Sequence, residues 1–356
     1  MARPAADADS TGWLVDGGAM GELIRSMDWS RTPLGPIEAW PQSLRTAVGL
    51  CLASNFPICL AWGPQHVQLY NDGYQVVCGS AHPRTMGQDF TEAWASAWPS
   101  IGAAFERARA GETSYLENVR MFLERNGYME ETFFTFSFSP IRDETGSVGG
   151  LFHPVTETTG AMLAQRRTRA LRDLAARAGD AKSVDAAFAV AAEVLSGYEL
   201  DLPFVLMYAF ANASAARLVG STGVAPGASA APALVDLGEP GAVWPLTEVK
   251  RSGDVIEVTG VAHVLGASAR GPYPEPPKTA LLLPVLPPGA ERPAGVIVAG
   301  MSPRLPLDDT YRGFCEQVAA AVSSAVASAR AHEEERRRAE MLAELDRAKT
   351  AFFSNV

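Results

Sequence analysis

Cysteine is scarce in this chain, with four among 356 residues: Cys51, Cys59, Cys78 and Cys315. They lie mostly in apolar runs and form no Cys-x-x-Cys pair, so buried reduced thiols are expected rather than a disulfide framework. Long apolar stretches are missing as well. No window approaches the roughly 18 consecutive apolar residues of a membrane helix. Met1 to Ser10 is small and acidic rather than basic and then apolar, which predicts no secretory signal. The expected location is the cytoplasm, with no membrane partner. Basic charge is short too: 30 Lys and Arg stand against 40 Asp and Glu, a formal net charge of −10. The one basic cluster, Arg336-Arg337-Arg338, falls inside an acidic stretch, so nucleic acid is not an expected partner. No phosphate-binding Gly-rich loop, no Gly-x-Ser-x-Gly and no His-Glu-x-x-His occurs. No self-contained enzyme is expected.

What is present suits two packed domains with helical connectors, at 47% apolar and 20% charged residues. Residues 1–12 carry no period and predict disorder. Gly21 to Ser26 and Pro41 to Ala53 read as short helices, the second with Leu44, Val48, Cys51 and Leu52 at helical spacing. From Pro57 the pattern turns to strands. Ile58, Leu60 and Trp62 alternate, Gly63-Pro64 turns the chain, and Val67, Leu69 and Asn71 follow at period two. Pro83 to Gly111 is helical in composition. Phe134, Phe136 and Phe138 then alternate with Thr135, Ser137 and Ser139, a half-buried strand, and Leu151, His153 and Val155 continue in a partner strand. Two strands, short helices and three more strands would bury one sheet face under the helices.

Gly160 to Gly179 reads as a connector helix with Arg166, Arg167, Arg169 and Arg172 on its other faces. Ser183 is a plausible cap for the next helix. Phe204 to Phe210 is an apolar strand with Arg217 to Thr222 as its hairpin partner. Val224 to Pro232 is low-complexity and predicts a mobile loop. Ala280 to Leu286 and Ala294 to Gly300 read as another hairpin. Asp308 or Asp309 then caps a helix that no proline interrupts. Phe314, Val318, Val322, Val326 and Ala329 step by three or four along it, and Leu342, Leu345 and Phe352 continue the apolar positions. A helix over 311–350 would span about 60 Å at about 1.5 Å per residue. A small domain cannot cover such a rod, so its remainder is expected to pair with a second copy in a parallel coiled coil.

Several stretches resemble known families. Glu344-Leu345-Asp346-Arg347-Ala348-Lys349-Thr350-Ala351-Phe352-Phe353-Ser354-Asn355-Val356 resembles the entry to the phosphoacceptor helix of sensor histidine kinases. In that family a Ser-His-Glu-Leu/Phe-Arg-Thr-Pro motif follows. This sequence stops at Val356, so the acceptor histidine and the ATP-binding domain are not in it. Leu69-Tyr70-Asn71-Asp72-Gly73-Tyr74 and Phe136-Ser137-Phe138-Ser139-Pro140-Ile141-Arg142-Asp143-Glu144-Thr145-Gly146 resemble a PAS domain. Leu281-Leu282-Leu283-Pro284-Val285 and Gly295-Val296-Ile297-Val298-Ala299-Gly300, with their opening and exit helices, resemble a GAF domain. Met20 to Ser26 and Trp29 to Pro36 look like the leader found before such PAS units.

These resemblances imply an α+β chain: a leader and helical cap over 1–49, a PAS domain over 50–158, a connector helix over 159–182, a GAF domain over 183–330 and a coiled-coil helix over 331–356. A PAS pocket would be lined by Trp62, Tyr70, Asn71, Tyr74, Trp94, Trp98, Phe136 and Phe138. Aromatic walls with a few polar groups suit a planar small molecule, and the competing reading is that these rings fill the core. The cofactor stays unknown. Cys78 lacks the flavin-adduct surroundings, and His66, His82 and His153 carry no haem-binding motif. Cys78 and His82, four apart, make only two ligands. The GAF stretch has neither the cyclic-nucleotide motif nor the bilin Asp-Ile-Pro stretch.

The implied function is signal-dependent control of ATP-dependent histidine autophosphorylation in a parallel homodimer, with phosphoryl transfer to a response regulator through the kinase domains. The signalling helix would use Val318, Val322, Val326, Leu342, Leu345 and Phe352. Two rivals stand beside it: a protein-interaction module without a ligand, and a sensor for another output such as a serine phosphatase or a cyclic-dinucleotide synthase.

Overall fold

The structure, a computed structural model, describes residues 12–14, 16–179, 181–239, 241–266 and 271–354. The expectation of disorder over 1–12 falls almost wholly outside them. Two compact units divide the chain, residues 1–163 and 164–356. The divide lies inside the connector helix, a few residues beyond the boundary expected from the sequence.

The first unit begins with α1 (Gly18–Ser26) and α2 (Gln42–Ala53). These are not a separate layer: Met20, Ile24, Trp29, Trp40, Leu44, Val48 and Cys51 belong to the same apolar cluster as the strands that follow. Trp29 anchors this cap, its Nε1 donating to the Ile24 carbonyl at 2.7 Å and its ring meeting Trp40 edge-on at 5.0 Å. Then come β1 (Ile58–Trp62), β2 (Val67–Tyr70), α3 (Asp72–Cys78), α4 (Phe90–Ala93), α5 (Trp98–Arg109), β3 (Ser114–Leu123), β4 (Glu130–Arg142) and β5 (Val148–Glu157). The strands form one antiparallel sheet in the order β2-β1-β5-β4-β3.

The expected order of two strands, short helices and three strands is what the chain adopts. The long helical reading of 83–111 breaks into α4 and α5, with turns around Pro83 and with Pro99 in the first turn of α5, where a missing N–H costs nothing. All five residues of β1 are buried, not alternate ones, because α2 and α3 both pack on it. Asn71 does not continue β2. It caps α3, its Oδ1 accepting from Tyr74 N at 3.1 Å.

Helix α6 (Thr159–Ala178) leads into α7 (Val184–Leu195), which Ser183 caps through Ala186 N at 3.2 Å. The second unit continues with β6 (Val205–Phe210), β7 (Ala215–Thr222), β8 (Leu234–Asp236), α8 (Leu246–Ser252), β9 (Ile256–Thr259), α9 (Ala262–Leu265), β10 (Thr279–Val285), β11 (Gly295–Gly300) and α10 (Asp309–Ser354). Its strands make a six-stranded antiparallel sheet, β8-β7-β6-β11-β10-β9, and both expected hairpins, β6 with β7 and β10 with β11, are present.

Alternation along the strands gives this sheet two apolar faces. Leu206, Leu282 and Val298 join Trp244, Leu246 and Val249 in one cluster, while α7 and α10 pack side by side on the sheet. The stretch 224–232, expected to be a loop, has its middle exposed but both of its ends seated in the core, through Val224 and through Ala230 and Ala231. Ala230 and Ala231 are fully buried, and the Ala230 carbonyl accepts from Trp244 Nε1 at 2.7 Å. All four cysteines are buried and free. Among the described residues no helix is long and apolar enough to cross a membrane.

Candidate functional site

In the first unit, α3, α4 and α5 close over the sheet face that carries Phe134, Phe136 and His153. Between them lies an apolar cavity of about 30 Å³, lined by Tyr74, Val77, Phe90, Trp94, Ile101, Met121, Phe136 and His153 among others. That is room for one or two waters and not, as it stands, for a planar ring system. Three of the expected lining residues meet here: Tyr74, Trp94 and Phe136. Phe138 lies one layer back, stacked on His153 at 4.3 Å between centroids and edge-on to Phe90 and Phe105.

The other four expected residues lie away from it. Trp62 lies against β5, where a Cβ on Gly150 would come within 2.5 Å of its ring. Trp98 packs on Phe105 at 5.3 Å. Tyr70 reaches away to His82 and Thr85. Asn71 is fully occupied as a brace. Its Nδ2 lies 2.7–3.0 Å from the carbonyls of Cys51, Ser54 and Phe56, and its Oδ1 accepts from Ile58 N at 3.0 Å. The asparagine of the turn therefore holds the α2–β1 loop and the start of α3, and leaves nothing free for a ligand.

His153, which the sequence offered only as a strand residue without a haem-binding motif, is the polar group of this wall. It is buried, its Nδ1 is 3.0 Å from the Ser137 carbonyl, and desolvation holds it down at about pH 4. A carbonyl only accepts, so Nδ1 carries the proton and Nε2 presents a lone pair. The cavity wall is thus apolar apart from this neutral imidazole, since the Trp94 Nε1 donates to Gln68 Oε1 at 3.2 Å. The signal that could have found it is its place on β5 between the alternating apolar Leu151 and Val155.

The cavity wall connects to the start of α6 through one cation. Arg125, in the β3–β4 turn, holds Glu130 at 2.8 Å and Glu157 at 2.7 Å. Its main-chain carbonyl accepts from Ser80 N, just after α3, at 3.0 Å. Glu157 also accepts from Thr159 Oγ1, in the first turn of α6, at 2.7 Å. Burial pushes the Glu157 carboxyl up, but the bonds from Arg125 and Thr159 outweigh it and hold the group below the usual carboxylate range.

The second unit has its own junction. Arg166 and Arg167, expected off the apolar face of α6, both turn to the buried Asp201, with Nε donors at 2.5 and 3.1 Å. Arg167 lies over the Tyr311 ring at 4.3 Å, and the Tyr311 hydroxyl donates to the Asp201 carbonyl and accepts from Ser302 N at 3.0 Å. Asp201 therefore joins α6 to the first turn of α10, which Asp308 caps through Tyr311 N at 2.8 Å.

Along α10 the six expected signalling residues divide. Val318, Val322 and Val326 are buried inside the second unit, which corrects their assignment to a paired helix: the sheet and α7 already use that stripe. Glu333, whose carboxylate accepts from Val184 N at 3.3 Å, still ties the helix to the start of α7. Residues 334–350 are all exposed, about 25 Å of helix at about 1.5 Å per residue. Leu342 and Leu345 stand there 67% and 62% exposed, beside Met341 at 57%. The Phe352 side chain lies outside the described residues.

No family model matches this chain, and no curated protein matches it. Among solved structures it is similar to the GAF domain of an Acinetobacter phosphoenolpyruvate-protein phosphotransferase, 16% identical over 48% of this chain and 95% of that one, TM-score 0.34. The corresponding domain from Coxiella burnetii is 17% identical over 48% of this chain and 98% of that one, TM-score 0.36. The Stigmatella aurantiaca phytochrome photosensory core module is 14% identical over 80% of this chain and 59% of that one, TM-score 0.35.

Proposed function

We propose that this chain is the sensory portion of a cytoplasmic histidine kinase, with a PAS-type first unit, a GAF-type second unit and α10 as the output helix. The observation that carries the reading is the exposed end of α10. Three large apolar side chains stand in water on a helix with no domain beneath it. A second copy in parallel would cover them. The sheet order of the first unit, with its helices inserted between β2 and β3, supports the PAS reading. The adjacent β10–β11 hairpin between opening helix α7 and exit helix α10 supports the GAF reading.

In this mechanism the dimer holds two arrangements of its output helices. A signal shifts the balance only by its differential affinity for the two. The Arg125–Glu157 pair gives the first unit a grip on the start of α6, and the Asp201 junction gives α6 a grip on α10. A small rotation of α10 would then set access of an ATP-bound domain to the acceptor histidine, and phosphoryl transfer to a response regulator would follow. Reading the native gene past Val356 tests this: a Ser-His-Glu start is expected, and any other continuation contradicts it.

A second reading is favoured by the nearly filled first unit. Its interior leaves about 30 Å³, so the input could be a protein contact rather than a small molecule. An absorption spectrum and native mass of the purified chain separate the two. A coloured or heavier species supports a held ligand, and a colourless chain at its bare mass supports the contact.

A further inference from the structure

Beside the apolar cavity runs a buried polar chain that the sensor reading does not use. Tyr70, at the end of β2, is fully buried, and its hydroxyl lies 2.9 Å from His82 Nδ1 and 3.0 Å from Thr85 Oγ1. The Thr85 carbonyl accepts from Gln68 Nε2 at 2.6 Å, and Gln68 Oε1 accepts from Trp94 Nε1 at 3.2 Å. Tyr70 also opens a series of oxidisable rings. Its centroid is 5.7 Å from Tyr74, which is 5.9 Å from Trp94.

A buried phenol needs only an acceptor. Tyr208 is content with a main-chain carbonyl, that of Pro232 at 3.2 Å, but a carbonyl cannot carry a proton away. An imidazole can. His82 is only half-buried, so a charge formed on it sits at the rim of the unit and not in its core.

We propose that Tyr70 and His82 form a proton-coupled redox site, through which one-electron oxidants act on the first unit. With the His82 proton on Nε2, Nδ1 accepts from the Tyr70 hydroxyl, while the Thr85 hydroxyl donates to the phenol oxygen. The oxidant takes one electron from the phenol and is itself reduced by one. The O–H bond breaks, and its proton crosses the existing hydrogen bond to Nδ1. The products are a neutral phenoxyl radical on Tyr70 and an imidazolium on His82.

The geometry suits this step because no net charge is left on the buried ring, where an unpaired charge would be costly. Burial also pushes the Tyr70 phenol well above its usual range, so it enters the reaction protonated. The Thr85 hydroxyl still has an oxygen to donate to afterwards. The Tyr74 and Trp94 rings bridge Tyr70 to an indole that is 9% exposed, a path along which the electron can tunnel to the oxidant with no charge resting on either ring. Neither the cavity's occupancy nor the kinase reading enters, so either can fail without the other.

The test is photo-oxidation of the full chain with ruthenium(III) tris-bipyridine, followed by freeze-trapped EPR. A tyrosyl radical is expected whose hyperfine pattern loses exchangeable-proton couplings in D₂O, those of the His82 and Thr85 hydrogen bonds. Tyr70→Phe and His82→Phe should each abolish that signal, and Tyr115→Phe, at an exposed ring, should leave it. The D₂O comparison uses the unaltered chain and so stands even if a variant folds poorly. A radical without exchangeable couplings, or one unchanged by Tyr70→Phe or by His82→Phe, would overturn the proposal.

Discussion

Arg167 lies over the ring of Tyr311, its guanidinium carbon 4.3 Å from the centroid, while its Nε holds the Asp201 carboxylate at 3.1 Å. Cation, ring and carboxylate come from α6, α10 and the turn before β6, so one buried contact ties three segments of the second unit. Removing one partner of such a pair strands the other charge, at a cost of about 3–5 kcal/mol. Asp201→Asn should therefore lower the unfolding free energy in urea by about 3 kcal/mol. Adding Arg167→Met should recover part of the loss, because the more buried of the two stranded cations is then gone, while Arg166 keeps some access to water. A double variant no more stable than Asp201→Asn would refute this account of the junction.

Arg125 is the corresponding tie in the first unit. Without it, Glu130 and Glu157 face each other in a partly buried site, and Thr159 loses a fixed acceptor. Arg125→Ala is expected to destabilise the first unit by about 3 kcal/mol and to speed hydrogen exchange in the first turn of α6. Unchanged protection there would show that α6 does not depend on this pair.

His153 makes stability pH-dependent in a defined window. Its folded value, about 4, lies below the ordinary imidazole value of about 6.5. Between the two, the unfolded chain binds a proton that the folded chain refuses, so stability is complete above about pH 6.5 and falls as the pH drops toward 4. The loss reaches about 3 kcal/mol at about 1.4 kcal/mol per pH unit. In His153→Phe this part of the slope should vanish while the carboxylate titrations below it remain. Parallel profiles for the two chains between pH 6.5 and 4 would count against a buried neutral imidazole.

Much of this architecture is legible in the sequence because local patterns decide it. The alternation of Phe134, Phe136 and Phe138, the Ser183 cap and the unbroken run after Asp308 each name an element without tertiary information. The cavity was legible only in part. Tyr74, Trp94 and Phe136 do converge, but Asn71 and Tyr70 belong to other networks, because a polar side chain goes where its hydrogen bonds are met and spacing does not reveal that. Arg166 and Arg167 were read only as charges off the apolar face of the connector helix for the same reason: their partner Asp201 is distant in sequence. The valine stripe of α10 was read as one seam with Leu342 and Leu345, although the sheet consumes its first half. Periodicity shows that a face is apolar and does not say what covers it.

In the function proposed above, a second copy of the chain covers the distal turns of α10. Sedimentation equilibrium across micromolar concentrations tests it most directly, on the full chain and on a Leu342→Glu, Leu345→Glu variant. These side chains touch no core, so the variant should keep its fold and its unfolding midpoint. The parent chain is expected to be a dimer, and the variant a monomer. A monomeric parent chain, or a variant that dimerises as tightly as the parent, would contradict it.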